Sequence, residues 1–70
     1  NADAVGSQVE VLVQGESKRR AKDGSVTYYG RTPQNKVTVF PQPVPANRII
    51  SVAIDRTTSH TLFGSVVPPE

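Results

Sequence analysis

The first strand-like stretch of the chain is Gln8 to Gln14, in which apolar and polar side chains alternate. Val9, Val11 and Val13 fall on one side of this alternation. Successive side chains of a β-strand point to opposite faces of the sheet, so the pattern predicts a strand with one buried face.

The next stretch, Glu16 to Ser25, is polar and basic and has neither the strand period nor the helix period of apolar residues. It ends in Asp23-Gly24, a dipeptide that suits a tight turn. We therefore predict a long hairpin loop between the first strand and the second.

Four further strands are predicted by their apolar pattern: Val26–Tyr29, Lys36–Phe40, Ile49–Asp55 and Leu62–Val67. Alternation along the third strand predicts that Val37 and Val39 face the core and that Phe40 faces the other way. Prolines follow this strand, and because they lack the amide hydrogen that a sheet ladder needs, the strand is predicted to end at Phe40.

Five strands in so short a chain predict a closed sheet. An open sheet would leave two edges that invite aggregation, and closing the sheet into a barrel removes them. We therefore predict an all-β fold, a small five-stranded antiparallel OB-like β-barrel over 8–67, with an N-terminal tail at 1–7 and a C-terminal tail at 68–70. Gly30 and Gly64 are predicted to lie where strands bend or approach closely. The predicted core consists of Val9, Val11, Val13, Val26 or Tyr28, Val37, Val39, Ile50, Val52, Ile54, Leu62 and Val66.

Composition supports this prediction and excludes several kinds of site. The chain has 70 residues, enough for one small domain, and it is rich in valine, which favours strands. It has no cysteine, so it can form neither a disulfide nor a thiolate metal site nor an iron–sulfur cluster of its own. No apolar run approaches the roughly 18 residues of a membrane span, so we expect a soluble, cytoplasmic, monomeric domain. Because the chain begins with Asn1, we expect it to be a piece of a longer protein.

The net charge is only +2, but the basic residues are concentrated. Four of the eight fall in Lys18-Arg19-Arg20-Ala21-Lys22, and the others, Arg31, Lys36, Arg48 and Arg56, fall near predicted strand ends. This distribution suits a polyanionic partner. The alternative is a solvated surface that keeps the domain soluble.

Other candidate residues give weaker indications. The aromatic rings of Phe40, Tyr28 and Tyr29 could stack on unpaired bases or pack in the core. Asp55, Ser59 and His60 are of the types found in a hydrolytic triad, but they crowd one short turn, and chance composition explains them better. The residues therefore predict no catalytic site and no metal site.

Several short motifs occur together in a specific order: Val13-Gln14-Gly15-Glu16-Ser17-Lys18, Gly30-Arg31-Thr32, Asn35-Lys36-Val37, Val39-Phe40 and Leu62-Phe63-Gly64. With this order and spacing, the sequence from about Val9 to Val67 resembles the TRAM domain. It is most similar to the TRAM module that ends the radical-SAM methylthiotransferases of the MiaB type. One departure is Ala46-Asn47-Arg48, where the family usually has a Leu/Ile-Gly pair; asparagine tolerates the left-handed conformation, so we expect the turn to be kept.

The resemblance implies a non-catalytic β-barrel that binds RNA, expected to be a tRNA anticodon stem-loop, beside the catalytic domains of its parent chain. The parent is expected to modify an adenosine next to the anticodon with 4Fe–4S clusters and S-adenosylmethionine, whereas the domain itself needs no cofactor. An alternative from the same family is a protein-interaction module that holds a ribosomal protein for methylthiolation. Asn35 is expected to shape its turn, and the cations of the first loop are expected to form a mobile arm that meets phosphates. The predicted RNA-binding residues are Lys18, Arg19, Arg20, Lys22, Arg31, Lys36, Phe40 and Arg48.

Overall fold

The computed structural model describes residues 5–68, apart from the side chain of Arg19. These residues form five strands that close into a barrel in the order β1-β2-β3-β5-β4. The all-β, five-stranded, OB-like barrel predicted from the sequence is confirmed. The strands are β1 (Gln8–Arg20), β2 (Val26–Arg31), β3 (Val37–Phe40), β4 (Ile49–Thr57) and β5 (Thr61–Val67).

One strand pair differs from the predicted antiparallel arrangement. β3 and β5 pair in parallel, with Val37 opposite Thr61, while the other four pairs are antiparallel. In a closed ring of five strands the directions cannot alternate all the way round, because five is odd. The prediction of antiparallel pairing was therefore wrong for this one pair. The odd number of predicted strands would have been enough to exclude it.

β1 is much longer than predicted and joins the two halves of the barrel. Its first part, Gln8 to Leu12, pairs with β4, and its later part, Leu12 to Arg20, pairs with β2. Two register shifts, between Val13 and Gly15 and between Glu16 and Arg20, interrupt the second pairing. The predicted long loop was wrong, because backbone pairing with β2 keeps this polar segment extended without an apolar period.

The loop that remains is a tight turn over 21–25. The Gly24 amide donates to the Ala21 carbonyl at 2.9 Å, and Gly24 has a φ of 86°, as the Asp-Gly dipeptide predicted. Asp23 Oδ1 accepts hydrogen bonds from the hydroxyl of Ser25 at 2.6 Å and from its amide at 2.9 Å. These bonds stabilise the carboxylate and hold the pKa of Asp23 below its ordinary value. The turn is therefore ordered by its own side chains.

The barrel interior is built mainly from branched aliphatic residues around one aromatic ring. Val39 is buried, with 6% of its surface exposed, as predicted, although it lies outside the main cluster. Val37 is only half-buried, so its assignment to the core was wrong. Phe40 and Thr38 take the inward positions of β3, with Phe40 only 1% exposed. Pairing explains this, since Phe40 lies opposite Tyr28, which itself packs against the core. The cluster is Val11, Val13, Phe40, Val52, Ile54 and Leu62, with Val9, Tyr28, Val44, Ile50 and Val66 packed against it.

Two glycines permit close contact between neighbouring strands, as predicted. A Cβ atom at Gly30 would meet the carbonyl oxygen of Leu12, and one at Gly64 would meet the carbonyl oxygen of Ala53. Both positions are buried, so no side chain could turn away into solvent. Only glycine allows the barrel to close this tightly.

The turn before β4 keeps the expected left-handed residue. Asn47 has a φ of 70°, and its amide donates to the carbonyl of Val13 at 2.8 Å. The Val13 amide donates in return to the carbonyl of Arg48, also at 2.8 Å. Asparagine thus replaces the glycine expected in the family at this point.

The described chain before β1 is also attached to the barrel. The Gly6 amide donates to the carbonyl of Ile54 at 2.7 Å, and the Ile54 amide donates to the carbonyl of Ser7 at 2.8 Å. The boundaries of the predicted tails stay predictions, since 1–4 and 69–70 lie outside the described residues. Within residues 5–68 there is no helix of the length and apolarity that crossing a membrane requires.

Candidate nucleic-acid interface

Within the described residues, three cations lie around one concave surface that the end of β1, the turn after it and residues of the other four strands line. We call this surface the basic groove. It has a volume of about 560 Å³ and its charged and aromatic lining includes Arg20, Lys22, Asp55, Arg56 and Phe63. Arg20, Lys22 and Arg56 are exposed, and Phe63 is half-buried. Three cations and one carboxylate therefore surround a surface that contains an accessible ring.

A β-bulge in β4 places Arg56 in the groove. Ile54 pairs with Gly64 and Arg56 pairs with Phe63, so two steps along β4 match one step along β5. Regular alternation would send Arg56 to the same side as buried Ile54, but the extra residue, Asp55, turns Arg56 outward. Directly opposed residues of an antiparallel pair share a face, and Arg56 Cζ lies 4.2 Å from the centroid of the Phe63 ring. The bulge therefore creates an exposed cation–π pair.

A smaller concave surface of about 290 Å³ adjoins the basic groove. Lys18 and Tyr29 line it, and Val39 lines both surfaces, so they meet across β3. Lys18 and Arg20 belong to a paired strand, not to a loop. The prediction of a mobile arm is therefore wrong, although these cations keep their exposure.

Phe40 does not present a ring to solvent. Its side chain is 1% exposed and belongs to the core cluster, so it cannot stack on a base. The prediction that Phe40 contacts RNA is corrected for this reason. Tyr28 packs against the core as well, which leaves Tyr29 as the accessible ring among the three considered from the sequence.

Arg31 ends β2, away from the basic groove, and its side chain is held by hydrogen bonds. Its Nη1 donates to Asn35 Oδ1 at 3.2 Å and its Nε donates to Gln14 Oε1 at 3.4 Å. Asn35 has a φ of 66°, as predicted for a residue that shapes a left-handed turn. The amide of Lys36 donates to the buried Thr32 Oγ1 at 3.1 Å, and the Lys36 side chain is exposed.

The remaining predicted residues are not gathered at the basic groove. Arg48 is exposed and lines a different concave surface, together with Glu10 and Ile49. The side chain of Arg19 lies outside the described part of the structure. Within 5–68, no group of three or more His, Asp or Glu side chains is placed to hold a metal ion.

Comparison with known proteins identifies the kind of domain. The TRAM domain family matches residues 3–67, nearly the whole chain. The chain belongs to the TRAM-domain family. TRAM domains are RNA-binding modules and are not catalytic, so the chain is not itself an enzyme.

Curated relatives of this TRAM domain carry one shared name, tRNA-2-methylthio-N(6)-dimethylallyladenosine synthase. The protein from Myxococcus xanthus (strain DK1622) is 38% identical over 66 residues, which are 94% of this chain and 13% of that protein. The protein from Porphyromonas gingivalis (strain ATCC BAA-308 / W83) is 40% identical over 68 residues, 96% of this chain and 14% of that protein. The protein from Pelodictyon phaeoclathratiforme (strain DSM 5477 / BU-1) is 42% identical over 65 residues, 91% of this chain and 14% of that protein. The chain thus spans only about a seventh of the length of such relatives.

In this TRAM domain, most of the motif residues maintain the fold. Gly30 allows close strand contact, the hydroxyl of buried Thr32 accepts a hydrogen bond from the Lys36 amide just before β3, and Asn35 supplies the left-handed turn. Only Arg31 and Lys36 of the same motif offer charge to a partner. The motif therefore identifies the family better than it locates the binding surface.

Arg56 and Phe63 of the TRAM domain were not among the predicted RNA-binding residues, although Arg56 was counted among the concentrated cations. They are seven positions apart, and their contact depends on the register between β4 and β5. A signal did exist, because Asp55 and Arg56 interrupt the apolar alternation of Ile50, Val52 and Ile54 at the point where the bulge occurs.

Proposed function

We propose that this TRAM domain binds tRNA through the basic groove, as the accessory domain of a tRNA methylthiotransferase. The observation that carries the proposal is the convergence of Arg20, Lys22 and Arg56 beside the Phe63 ring. Cations neutralise phosphates, and an aromatic or guanidinium plane stacks on bases, so the groove offers both components of single-strand recognition.

The relatives support the tRNA assignment, since each is named as a synthase of a modified adenosine in tRNA. The region matched by this chain is 13% of the M. xanthus protein, and the chain has no cysteine to ligate a cluster. The proposed parent therefore carries its 4Fe–4S clusters and S-adenosylmethionine in other, catalytic domains. The barrel would hold the anticodon stem-loop in the cytoplasm while those domains modify an adenosine next to the anticodon.

The groove cations are presented by ordered backbone. Arg20 pairs with Val26 at the end of β1, and the turn that carries Lys22 is closed by hydrogen bonds, including one from Ala21 to Ser25 at 3.0 Å. Ordered cations lose less conformational entropy on binding than a mobile arm would. Lys18, Arg31, Lys36 and Arg48 would extend the positive field around this site.

A second candidate is the protein-interaction module that holds a ribosomal protein. It is favoured by an apolar pair at a different surface, where Leu12 and Ile49 lie opposite each other on β1 and β4. Their side chains are 44% and 67% exposed. Exposed apolar side chains of this kind suit a protein partner better than a phosphate backbone.

Titration of the chain with an anticodon stem-loop, and separately with ribosomal protein, distinguishes the two candidates. We expect stem-loop binding that weakens as salt rises, because counterions are released from the RNA. Replacing both Arg20 and Lys22 with glutamine should lower the magnitude of the logarithmic salt slope by about 1.4, at roughly 0.7 per lost single-strand phosphate contact. Binding of ribosomal protein without binding of the stem-loop at low salt would overturn the tRNA proposal and favour the second candidate.

A further inference from the structure

We propose that the basic groove contains a subsite for one unpaired nucleotide, with its base stacked on the Arg56–Phe63 pair and its phosphate held by Arg20 and Lys22. The inference deepens the proposed function and rests on it, because it specifies what part of an RNA enters the groove.

The base-binding end follows from the geometry of the cation–π pair. The guanidinium of Arg56 lies 4.2 Å from the Phe63 centroid, and Arg56 is exposed. An exposed guanidinium packed on a ring can take another flat group against its outer face. Proteins recognise unpaired bases by stacking them on aromatic rings and on guanidinium planes. A base in a duplex cannot reach such a plane because its neighbours already cover both of its faces.

The phosphate-binding end follows from the distribution of charge. Asp55, the extra residue of the β4 bulge, lines the groove next in sequence to Arg56 and adds negative charge there. Arg20 and Lys22 come from other elements, the end of β1 and the turn after it. Repulsion by Asp55 disfavours a phosphate beside Arg56, so the phosphate is directed to Arg20 and Lys22.

The size of the groove fits this ligand. Its volume of about 560 Å³ lies within the roughly 300–1,000 Å³ of small-molecule sites. Buried Val39 is among the apolar residues of its lining. A groove of this size can hold one nucleotide. A purely electrostatic surface, in comparison, would bind phosphates without preferring an unpaired base.

The test is a thermodynamic cycle between the protein and the RNA. The probes are an RNA hairpin with a seven-nucleotide loop and the same hairpin with abasic loop sugars, which keeps every phosphate but removes the loop bases. For the unmodified chain we expect the abasic hairpin to bind roughly 5- to 150-fold more weakly, since stacking contributes about 1–3 kcal/mol per base.

Arg56→Lys keeps the charge and removes the flat guanidinium. We expect this variant to bind both hairpins with nearly the weak affinity that the unmodified chain shows for the abasic one, because the stacking partner is gone. Arg56→Gln also removes the positive charge, so it should in addition lower the magnitude of the logarithmic salt slope. If Arg56→Lys binds each hairpin with the same affinity as the unmodified chain, the subsite proposal is overturned.

Phe63→Leu tests the ring and needs a control for stability. Ile50→Val removes a methylene group next to the core at a different concave surface, so it serves as the matched control. We expect Phe63→Leu, and not Ile50→Val, to remove the discrimination between the two hairpins at a temperature where both variants are folded. If Phe63→Leu does not fold, Arg56→Lys alone decides the question.

The outcomes separate the two proposals. If the unmodified chain binds the hairpin but does not distinguish it from the abasic form, the subsite is wrong and tRNA binding stands. If the folded chain binds neither RNA at low salt, both proposals are overturned.

Discussion

At the scale of single residues, β3 shows how alternation can be ambiguous. The sequence Val37-Thr38-Val39-Phe40 places two valines on one side and a threonine and a phenylalanine on the other. The valine side is the more uniformly apolar, which led to the wrong prediction that Phe40 faces away from the core. The main cluster instead takes the side with the phenylalanine and buries Thr38 completely, while Val39 is buried outside that cluster. Burial of a large ring outweighs the cost of enclosing one hydroxyl.

Thr38 is therefore a site where stability can be improved. Its Oγ1 has no hydrogen-bond partner among the residues that the structure describes. A buried hydroxyl without a partner costs about 1–3 kcal/mol, so we expect Thr38→Val to raise the free energy of unfolding by about 1 kcal/mol. Denaturant unfolding followed by circular dichroism measures this change.

The same substitution at Thr32 is the matched control. Thr32 is also buried, but its Oγ1 accepts a hydrogen bond from the Lys36 amide at 3.1 Å. Thr32→Val should lower the free energy of unfolding by about 1 kcal/mol, because the amide loses its partner. Destabilisation of similar size at both positions would contradict the account of Thr38.

At the scale of elements, the sequence predicted the five strands but misplaced several of their ends. Turn residues such as Asp23-Gly24 and Asn35 were correctly predicted because their conformations depend on local chemistry. The extension of β1 to Arg20 and the bulge at Asp55 were not predicted, because both depend on pairing with a distant strand. The candidate site was only partly predicted for the same reason. Arg20 and Lys22 are close together in the sequence, whereas Arg56 and Phe63 meet only through the register between β4 and β5.

The close contact between β4 and β5 at Gly64 gives a prediction about these elements. A Cβ atom there would meet the backbone carbonyl of Ala53 on the paired strand, and backbone cannot rotate away as a side chain can. We expect Gly64→Ala to lower the free energy of unfolding by about 1–3 kcal/mol, the usual cost of overpacking. Thermal unfolding measures the loss. Ser65→Ala, an exposed neighbour on the same strand, should change little, and equal effects at the two positions would contradict a role for close strand contact.

At the scale of the whole molecule, the closed barrel separates two kinds of surface. Cations and an accessible ring line the basic groove between β1, β4 and β5, whereas exposed Leu12 and Ile49 lie on the β1–β4 surface. The number and spacing of predicted strands were sufficient to predict closure. They were insufficient to predict which side chains converge, because convergence depends on how the ring of strands is ordered.

The central claim is that RNA binds in the basic groove, and mapping the contact by NMR tests it most directly. Amide chemical shifts of the labelled chain would be followed during titration with an unlabelled anticodon stem-loop. We expect the largest changes at Arg20, Lys22, Arg56 and Phe63, with small changes at Leu12 and Ile49. Changes concentrated at Leu12 and Ile49, with the groove residues unaffected, would contradict it.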